Sequence, residues 1–593
     1  MIEEVRMGRG GAPIVDPRRG DVEDDAASPH QRSLLAIAGN LLVEISLPKL
    51  LLAWTVSLLL PAVLLGISPL VATAWLATVS RNVLRLTEIG SAVVLASFVV
   101  LGWIGWRPLF RIAENNFWSL NALAVQPAYT FFREALHHLA ERIFSRDSTT
   151  ANQRARLRAA SSAGASIILC GCAVLLALLV WPASRWTGSV TDLVSPHHLI
   201  VPALANAAVL VSVYLASAAL IWGFADTGMD QPLDLAEFDA VPSGGRTWRV
   251  AHLSDIHVVG ERYGYRIESG RGGPQGNDRL MRVMARVAAI HSTQPLDLVL
   301  VSGDLTDAGR ATEWAEFLDA VAQYPALAAR MIVLPGNHDL NIVDRANPAR
   351  LDLPFSTGKR LRQMRTLSAI AAVQGDRVRV FAHGSTQLAE TLNEALAPHL
   401  PGIVAFAENG GLRRSLGLGN VFDDQFPMIL PPETEDGLGV AILNSNAQTH
   451  FSFTNALGLI SAEQGRRLAA AIGRYQKAHW IIALHHHLIE YPMPVVAFSE
   501  RVGTALVNGS WFVRKLGAFA GRVVVMHGHR HIDWIGACGA LRIVSAPSPV
   551  MGATDEAPTH FHIHALATTS DGQLHLLVPE RVEIAGTATR SVG

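Results

Sequence analysis

Short strings of aspartate, asparagine and histidine recur in the C-terminal half of the chain, and these residue types bind divalent metals through oxygen and nitrogen. The strings are Asp255-Ile256-His257, Gly303-Asp304, Gly336-Asn337-His338-Asp339 and Gly528-His529-Arg530-His531, and His485 stands between the third and the fourth. An oxygen and imidazole donor set without thiolate suits Mn, Fe, Zn, Co or Mg. Two such cations that share a carboxylate and lie roughly 3.5–4 Å apart would generate a hydroxide from bound water. They would also hold both the attacking and the leaving oxygen of an in-line phosphoryl displacement. The spacing therefore predicts a two-metal hydrolytic site.

Each string directly follows a predicted β-strand. Strands are predicted at residues 248–253, 296–301, 331–334, 439–443, 480–484, 523–526 and 541–544. Loops at the carboxyl ends of strands are where α/β sheets build their sites. Five strand ends can therefore converge on one point, and the glycines before Asp304, Asn337 and His529 permit tight turns there.

Predicted helices at residues 278–291, 312–321 and 462–476 alternate with these strands, which favours an α/β layered fold. The segment at about 340–437 contains Arg-rich and Gly-rich pieces and shows no clean period. It is longer than an ordinary connection. It is predicted to be an insertion, either a lid that carries specificity or a surface decoration.

In their order along the chain, the strings match the signature of the calcineurin-like metallophosphoesterase superfamily, which is D-x-H, G-D, G-N-H-[DE], an isolated H and G-H-x-H. Residues 248 to about 580 therefore resemble that superfamily. The resemblance implies an α/β (α+β) four-layer fold, a two-sheet β-sandwich flanked by helices, and two divalent metal ions. It implies a first metal held by Asp255, His257 and His531, a second metal held by Asn337, His485 and His529, and a bridging Asp304. It further implies that His338 faces the scissile phosphate and that Asp339 orients His338.

Some positions near these strings have competing roles. His485, His486 and His487 are adjacent, and the residue directly after the strand, His485, is favoured as the ligand. Asp307 and Asn341 are predicted to be turn formers rather than members of the site.

The composition of the whole chain indicates contact with lipid. At 593 residues the chain is too long for one ordinary domain. Hydrophobic residues make up 50% and charged residues 17%, whereas globular proteins carry about 25% charged residues. The net charge of −1 predicts no nucleic-acid partner by bulk attraction. The three cysteines predict neither a disulfide framework nor a zinc–cysteine cluster.

Four apolar runs lie in the N-terminal part, at about residues 50–74, 89–106, 163–183 and 199–222. Each has about the length that a helix needs to cross a ~30 Å hydrocarbon layer. Buried core helices are the alternative, but the runs lack the polar stripe that core helices usually show. Lys and Arg concentrate before the first run and between the second and the third, and positive residues stay cytoplasmic. A multi-pass protein of the inner cell membrane is predicted, with its N-terminus and its catalytic domain in the cytoplasm.

The predicted domain order follows from these patterns. Residues 1–33 form a disordered tail, residues 34–225 a transmembrane helical region, and residues 226–246 a linker. Residues 247–582 form the phosphoesterase-like domain, and residues 583–593 a short tail.

Three functions remain open at this point. The Ala483-Leu484-His485-His486 string is similar to the phosphodiesterase branch of the superfamily, although His487 replaces that branch's usual proline. This similarity favours a membrane-anchored hydrolase of a cyclic nucleotide, a nucleotide-linked precursor or a phospholipid head group. The alternatives are a phosphomonoesterase acting on phosphoproteins, and a non-catalytic membrane sensor that binds a phosphorylated ligand. The bilayer is the other expected partner.

Overall fold

The computed structural model of the protein describes residues 60–83, 93, 96–97, 100, 125–143, 151–189, 196–241, 245–260, 276–343, 356–447, 455–492, 506–551, 558–569 and 572–585. These residues belong to two compact units, one within residues 45–229 and the other within residues 230–593.

The described part of the N-terminal unit is helical. Its helices are α1 (Leu60–Val83), α2 (Gln126–Ile143), α3 (Ala151–Val180) and α4 (Ile200–Thr227), with 3-10 turns at Trp181–Ala183 and Pro196–Leu199. Helix α4 packs against both α1 and α3. A Cβ atom at Gly66 would overlap the Ala203 carbonyl, and one at Gly223 would overlap the Ser166 side chain. Small residues at these crossings therefore allow the helix backbones to approach closely.

Two helical stretches, Arg156–Ala183 and His197–Thr227, are long and apolar enough to cross a membrane, judged by length and composition. They contain the predicted spans at 163–183 and 199–222. Leu179 is 71% exposed and Val201 63% exposed, which is unusual for the core helices of a soluble protein.

The other two predicted spans have less support. The run at 50–74 begins outside the described residues, and its described part contains a shorter apolar stretch, Val63–Ala77. The run at 89–106 lies outside the described residues except at positions 93, 96, 97 and 100. The described residues thus support two candidate spans rather than four.

The C-terminal unit contains two β-sheets. Its strands are β1 (Pro232–Asp234), β2 (Thr247–Leu253), β3 (Leu298–Val301), β4 (Met331–Val333), β5 (Arg379–Phe381), β6 (Leu388–Thr391), β7 (Met428–Leu430), β8 (Leu438–Ile442), β9 (His479–Ala483), β10 (Val523–His527), β11 (Trp534–Cys538), β12 (Leu541–Ser545), β13 (Thr559–Thr568), β14 (Leu574–Leu576) and β15 (Glu580–Ile584). The larger sheet has the order β1-β11-β12-β10-β9-β8-β7-β5-β6. The smaller has the order β14-β13-β2-β3-β4, and β15 pairs with β13.

Parallel pairing brings the ends of the motif-bearing strands to common edges. Strands β2, β3 and β4 are parallel to one another, and so are β8, β9, β10 and β12. One buried hydrophobic cluster contains side chains from both sheets, including Val299 and Ile332 from the smaller and Ile481 and Val524 from the larger. The carboxyl ends of two packed parallel arrays therefore lie where the predicted ligands are.

Helices complete the C-terminal unit. They are α5 (Gly276–Thr293), α6 (Ala311–Ala322), α7 (Pro325–Ala328), α8 (Asn337–Leu340), α9 (Thr357–Gln374), α10 (Leu392–Leu396), α11 (Leu400–Asn409), α12 (Leu412–Gly417), α13 (Val421–Asp424), α14 (Ala462–Arg474) and α15 (Gly509–Gly517). The prediction of a mixed α/β fold with two sheets and helices is confirmed.

The described part of the predicted insertion at 340–437 belongs to the core and to the larger sheet. Strands β5, β6 and β7 extend that sheet, and Leu367 and Ile370 of α9 are buried in the hydrophobic cluster. The Gln374 side chain binds both backbone groups of Val333, at 2.7 and 3.0 Å, and so ties α9 to β4. This segment therefore helps to fix the strand that leads to Asn337.

Candidate metal centre

The predicted site residues follow the carboxyl ends of five strands. Asp255 and His257 follow β2, Asp304 follows β3, and Asn337 begins α8 just after β4. His485 follows β9, and His529 and His531 follow β10. Backbone hydrogen bonds hold these loops together: Asp255 N donates to Gly303 O at 3.0 Å, and Gly528 N donates to His485 O at 3.1 Å.

One group of donor atoms converges around Asp304, Asn337, His485 and His529. His485 Nε2 lies 3.2 Å from Asp304 Oδ2 and 3.1 Å from Asn337 Oδ1. His529 Nδ1 lies 3.0 Å from Asn337 Oδ1 and 3.2 Å from His485 Nε2. Metal–nitrogen and metal–oxygen bonds of about 2.1 Å place neighbouring ligands about 3.0–3.4 Å apart. These spacings therefore fit the edges of a coordination shell.

A second group lies beside the first. His257 Nε2 and His531 Nε2 are 3.2 Å apart, and His531 Nε2 is 3.4 Å from Asp255 Oδ1. Asp304 Oδ2, which belongs to the first group, is also 3.8 Å from His257 Nε2. One carboxylate oxygen thus faces both groups, as a bridging ligand would.

The backbone at these positions is strained. Among the described residues, the non-glycine residues with positive φ are Asp255, His257, Asp304, His529 and His531, with φ between 48° and 80°. All five belong to the two donor groups. L-residues avoid this conformation, and strain of this kind concentrates at functional sites.

The family comparison agrees with this geometry. Residues 249–402 match the model of the calcineurin-like phosphoesterase family. This part of the chain is therefore similar to a calcineurin-like phosphoesterase domain. The matched region includes the first three strings, whereas His485 and the last string lie beyond it. The match supports a metal-dependent phosphoesterase.

The chain is also similar to several solved structures. A dimetal phosphatase from Danio rerio is 11% identical, with 57% of this chain and 99% of that chain covered and a TM-score of 0.32. The NAD nucleotidase of Haemophilus influenzae is 10% identical, with 58% and 50% covered and a TM-score of 0.29. A purple acid phosphatase from yellow lupin (Lupinus luteus) is 13% identical, with 58% and 55% covered and a TM-score of 0.26. The chain spans about half the length of the latter two. No curated protein matches the chain.

The phosphoesterase centre is buried and charged. Burial opposes ionisation of the Asp304 carboxyl group, but the imidazoles of His485, His338 and His257 together outweigh burial and hold the pKa of Asp304 well below its ordinary value. Burial lowers the pKa of His485, but Asp304, Asp255 and the Ser302 carbonyl together outweigh burial and raise that pKa to about 9. The buried carboxylate therefore attracts positive charge to the position where the donor atoms of the first group converge.

The imidazoles are oriented by groups outside the two donor sets. His485 Nδ1 donates to the Ser302 carbonyl at 2.9 Å, which directs Nε2 toward Asp304. His257 Nδ1 lies 3.4 Å from Asp307 Oδ1, which directs Nε2 toward His531. Burial, followed by repulsion from His338, lowers the pKa of His257 to about 4, so its ring is neutral at pH 7. Partners of this kind fix the tautomer of a metal-binding histidine, and the residues present fit two cations.

The described geometry distinguishes the three adjacent histidines. His486 Nδ1 lies 2.9 Å from Ser445 Oγ, and His487 Nε2 lies 3.4 Å from Glu490 Oε1. His485 is the member of the triplet whose ring nitrogen joins the donor groups.

Asp339 has a different role from the predicted one. Its carboxylate accepts hydrogen bonds from Thr306 N at 2.9 Å, Thr306 Oγ1 at 2.6 Å and Gly336 N at 2.8 Å. His338 Nδ1 instead donates to the Asp307 carbonyl at 2.7 Å. The prediction that Asp339 orients His338 is therefore wrong, because the carboxylate is occupied in joining the loops that follow β3 and β4.

Asp307 is the residue that sequence reasoning missed. It is fully buried, and its side chain faces His257 while its carbonyl holds His338. Its position three residues after Asp304, within the same loop, was a sequence signal that could have indicated its place in the site.

Proposed function

We propose that the protein is a membrane-anchored, dinuclear-metal phosphoesterase that hydrolyses a phosphodiester. The observation that carries the proposal is the pair of donor groups that share Asp304 Oδ2. Asp255, His257 and His531 would hold one cation, and Asn337, His485 and His529 the other, with Asp304 between them. Divalent cations at these positions supply positive charge that polarises a phosphoryl group and activates water.

His338 is the proposed acid of the reaction. Its ring is partly exposed and lies 4.6 Å, centroid to centroid, from the ring of His257. Nδ1 donates to the Asp307 carbonyl, so in the imidazolium form Nε2 would carry a second proton, which it would donate to a phosphate oxygen or transfer to the leaving oxygen. Asp307 therefore positions both His257 and His338.

The proposed anchor comprises at least the helices Arg156–Ala183 and His197–Thr227. Exposed apolar side chains on both helices support contact with acyl chains. The distribution of Lys and Arg supports a cytoplasmic catalytic domain. Carbonate extraction of cell membranes tests the anchor, since a peripheral protein is released at high pH and a spanning protein is not.

The substrate class is tested with the full-length protein in detergent and Mn²⁺. Hydrolysis of bis(p-nitrophenyl) phosphate in excess of p-nitrophenyl phosphate is expected for a phosphodiesterase, and the reverse ratio would favour a phosphomonoesterase. Asp304→Asn is expected to reduce turnover by orders of magnitude, because the shared carboxylate is lost. Asp297→Asn is a matched control, since Asp297 lies at the other end of β3 and accepts a hydrogen bond from Arg249 N at 2.7 Å. Unchanged turnover in Asp304→Asn would refute the proposed dinuclear-metal mechanism and would favour the alternative of a non-catalytic membrane sensor.

A further inference from the structure

A second cluster of histidine and aspartate lies apart from the seven proposed ligands. His560 Nε2 is 2.8 Å from Asp533 Oδ2. His562 Nε2 is 3.0 Å from both oxygens of Asp533. One donor atom from each of these three side chains lies within 4.8 Å of the other two.

The fold holds these side chains on one face of the smaller sheet. His560 and His562 are alternate residues of β13, so their side chains leave the strand on the same side. Strand β13 is paired on both edges, with β2 and with β15, so its backbone is fixed. Asp533 comes from the short loop between His531 and β11. The pair of imidazoles is thus preorganised, and the carboxylate reaches it from a different element.

We propose that Asp533, His560 and His562 form a third, mononuclear binding site for a divalent transition-metal ion such as Zn²⁺. Two imidazoles and one carboxylate are a typical three-ligand zinc set, with a fourth position left for water. The imidazole donors also suit Ni²⁺ and Cu²⁺ but disfavour Mg²⁺ and Ca²⁺.

Access supports the site. The side chains of His560 and Asp533 are 17% and 34% exposed, so an ion can enter from solvent.

The outer shell of the site is incomplete. His562 Nδ1 has no hydrogen-bond partner among the described residues. Because a partner there would strengthen metal binding, the site should bind Zn²⁺ more weakly than a site with a complete outer shell.

A bound ion would link two parts of the domain. Asp533 lies two residues after His531, so an ion shared with β13 would hold the loop of the last string to the smaller sheet. Zinc should therefore raise the unfolding temperature of the protein even when the main centre is disabled.

The test uses the full-length protein, stripped with a chelator and equilibrated with Zn²⁺ alone. Zinc per chain is measured after removal of free metal, for the wild type, His560→Gln and His562→Gln. His383→Gln is the matched control, because His383 pairs with Asp424 at 3.1 Å in the same kind of His–Asp contact. All four are repeated in an Asp304→Asn background, which separates this site from the dinuclear centre.

The expected result is one equivalent of zinc fewer in His560→Gln and in His562→Gln than in the wild type and His383→Gln, in both backgrounds. The zinc-induced rise in unfolding temperature should disappear in the same two variants. Equal zinc content in the wild type and in whichever of the two variants folds would overturn the proposal. If Asp304→Asn loses activity and the zinc difference persists, both the dinuclear centre and this third site are supported. If Asp304→Asn loses activity but the zinc difference is absent, the third site alone is refuted.

Discussion

Replacement of Asp307 by asparagine tests how the candidate metal centre orients its proposed ligands. Asp307→Asn keeps the shape of the side chain but removes the charge that faces His257 Nδ1 at 3.4 Å. Loss of such a partner typically costs 10–100-fold in metal affinity or activity. Because 3.4 Å is long for a hydrogen bond, we expect the weaker end of that range, about tenfold or ~1.4 kcal/mol.

The effect should be confined to one donor group. His485 is oriented by the backbone carbonyl of Ser302, which the substitution does not touch. The Asp307 carboxylate also raises the pKa of His257. Without this carboxylate the pKa of His257 would be lower still, so the ring stays neutral and protonation cannot be the cause of weaker metal binding. The loss should therefore reflect the orientation of His257 and the missing negative charge beside the donor group to which His257 belongs, and not a change in protonation.

The assay is the Mn²⁺ dependence of bis(p-nitrophenyl) phosphate hydrolysis by the full-length protein. Asp307→Asn should need about tenfold more Mn²⁺ for half-maximal activity, with most of the turnover recovered at saturation. Asp297→Asn serves again as the control. An unchanged Mn²⁺ dependence, or a fall in turnover that saturating metal does not restore, would refute the orienting role.

The remaining predictions concern stability and assembly of the centre. Burial raises the pKa of Glu313 to about 8; the folded state then binds more protons than the unfolded state between about pH 4.5 and 8, so stability falls as pH rises through that window. Glu313→Gln should remove this loss, seen as a higher unfolding temperature than wild type above pH 8 and little difference below pH 5. Gly336→Ala would place a Cβ against Asp304, and metal content should fall while circular dichroism stays near that of the wild type. Arg467 is buried and donates to the Ser385, Asp424 and Phe426 carbonyls, so Arg467→Met should lower the unfolding temperature, at about 1–3 kcal/mol for each carbonyl left unsatisfied. Chelator should abolish hydrolysis, and Mn²⁺ should restore it.

The sequence predicted the elements that carry long apolar runs. The strands that lead to Asp255, Asp304 and His485 were found within two residues of their observed limits, because buried parallel strands are nearly continuous in Val, Ile and Leu. The order of the motifs along the chain, and the glycine-containing turns that follow the strands, also predicted that the carboxyl ends of these strands would converge.

Other features were not predictable from local pattern. Strands β5 and β7 have three residues each, which is too short for the two-residue alternation of a β-strand to be recognised in the sequence. Strand β13 alternates histidines with apolar residues over its first half, a pattern that could equally have indicated a ligand-bearing loop. The partners of Asp339 and Asp307 depend on the distance between loops, which sequence spacing does not contain.

The left-handed backbone at five of the proposed ligands has a consequence for the history of such a domain. Each non-glycine residue held in that conformation destabilises the fold by roughly 1–2 kcal/mol, and glycine would relieve the penalty at any of the five positions. Selection for stability alone would thus replace the proposed ligands by glycine one at a time, and the resulting proteins would be more stable but inactive. The presence of aspartate and histidine at all five positions of this chain is what selection for catalysis would favour.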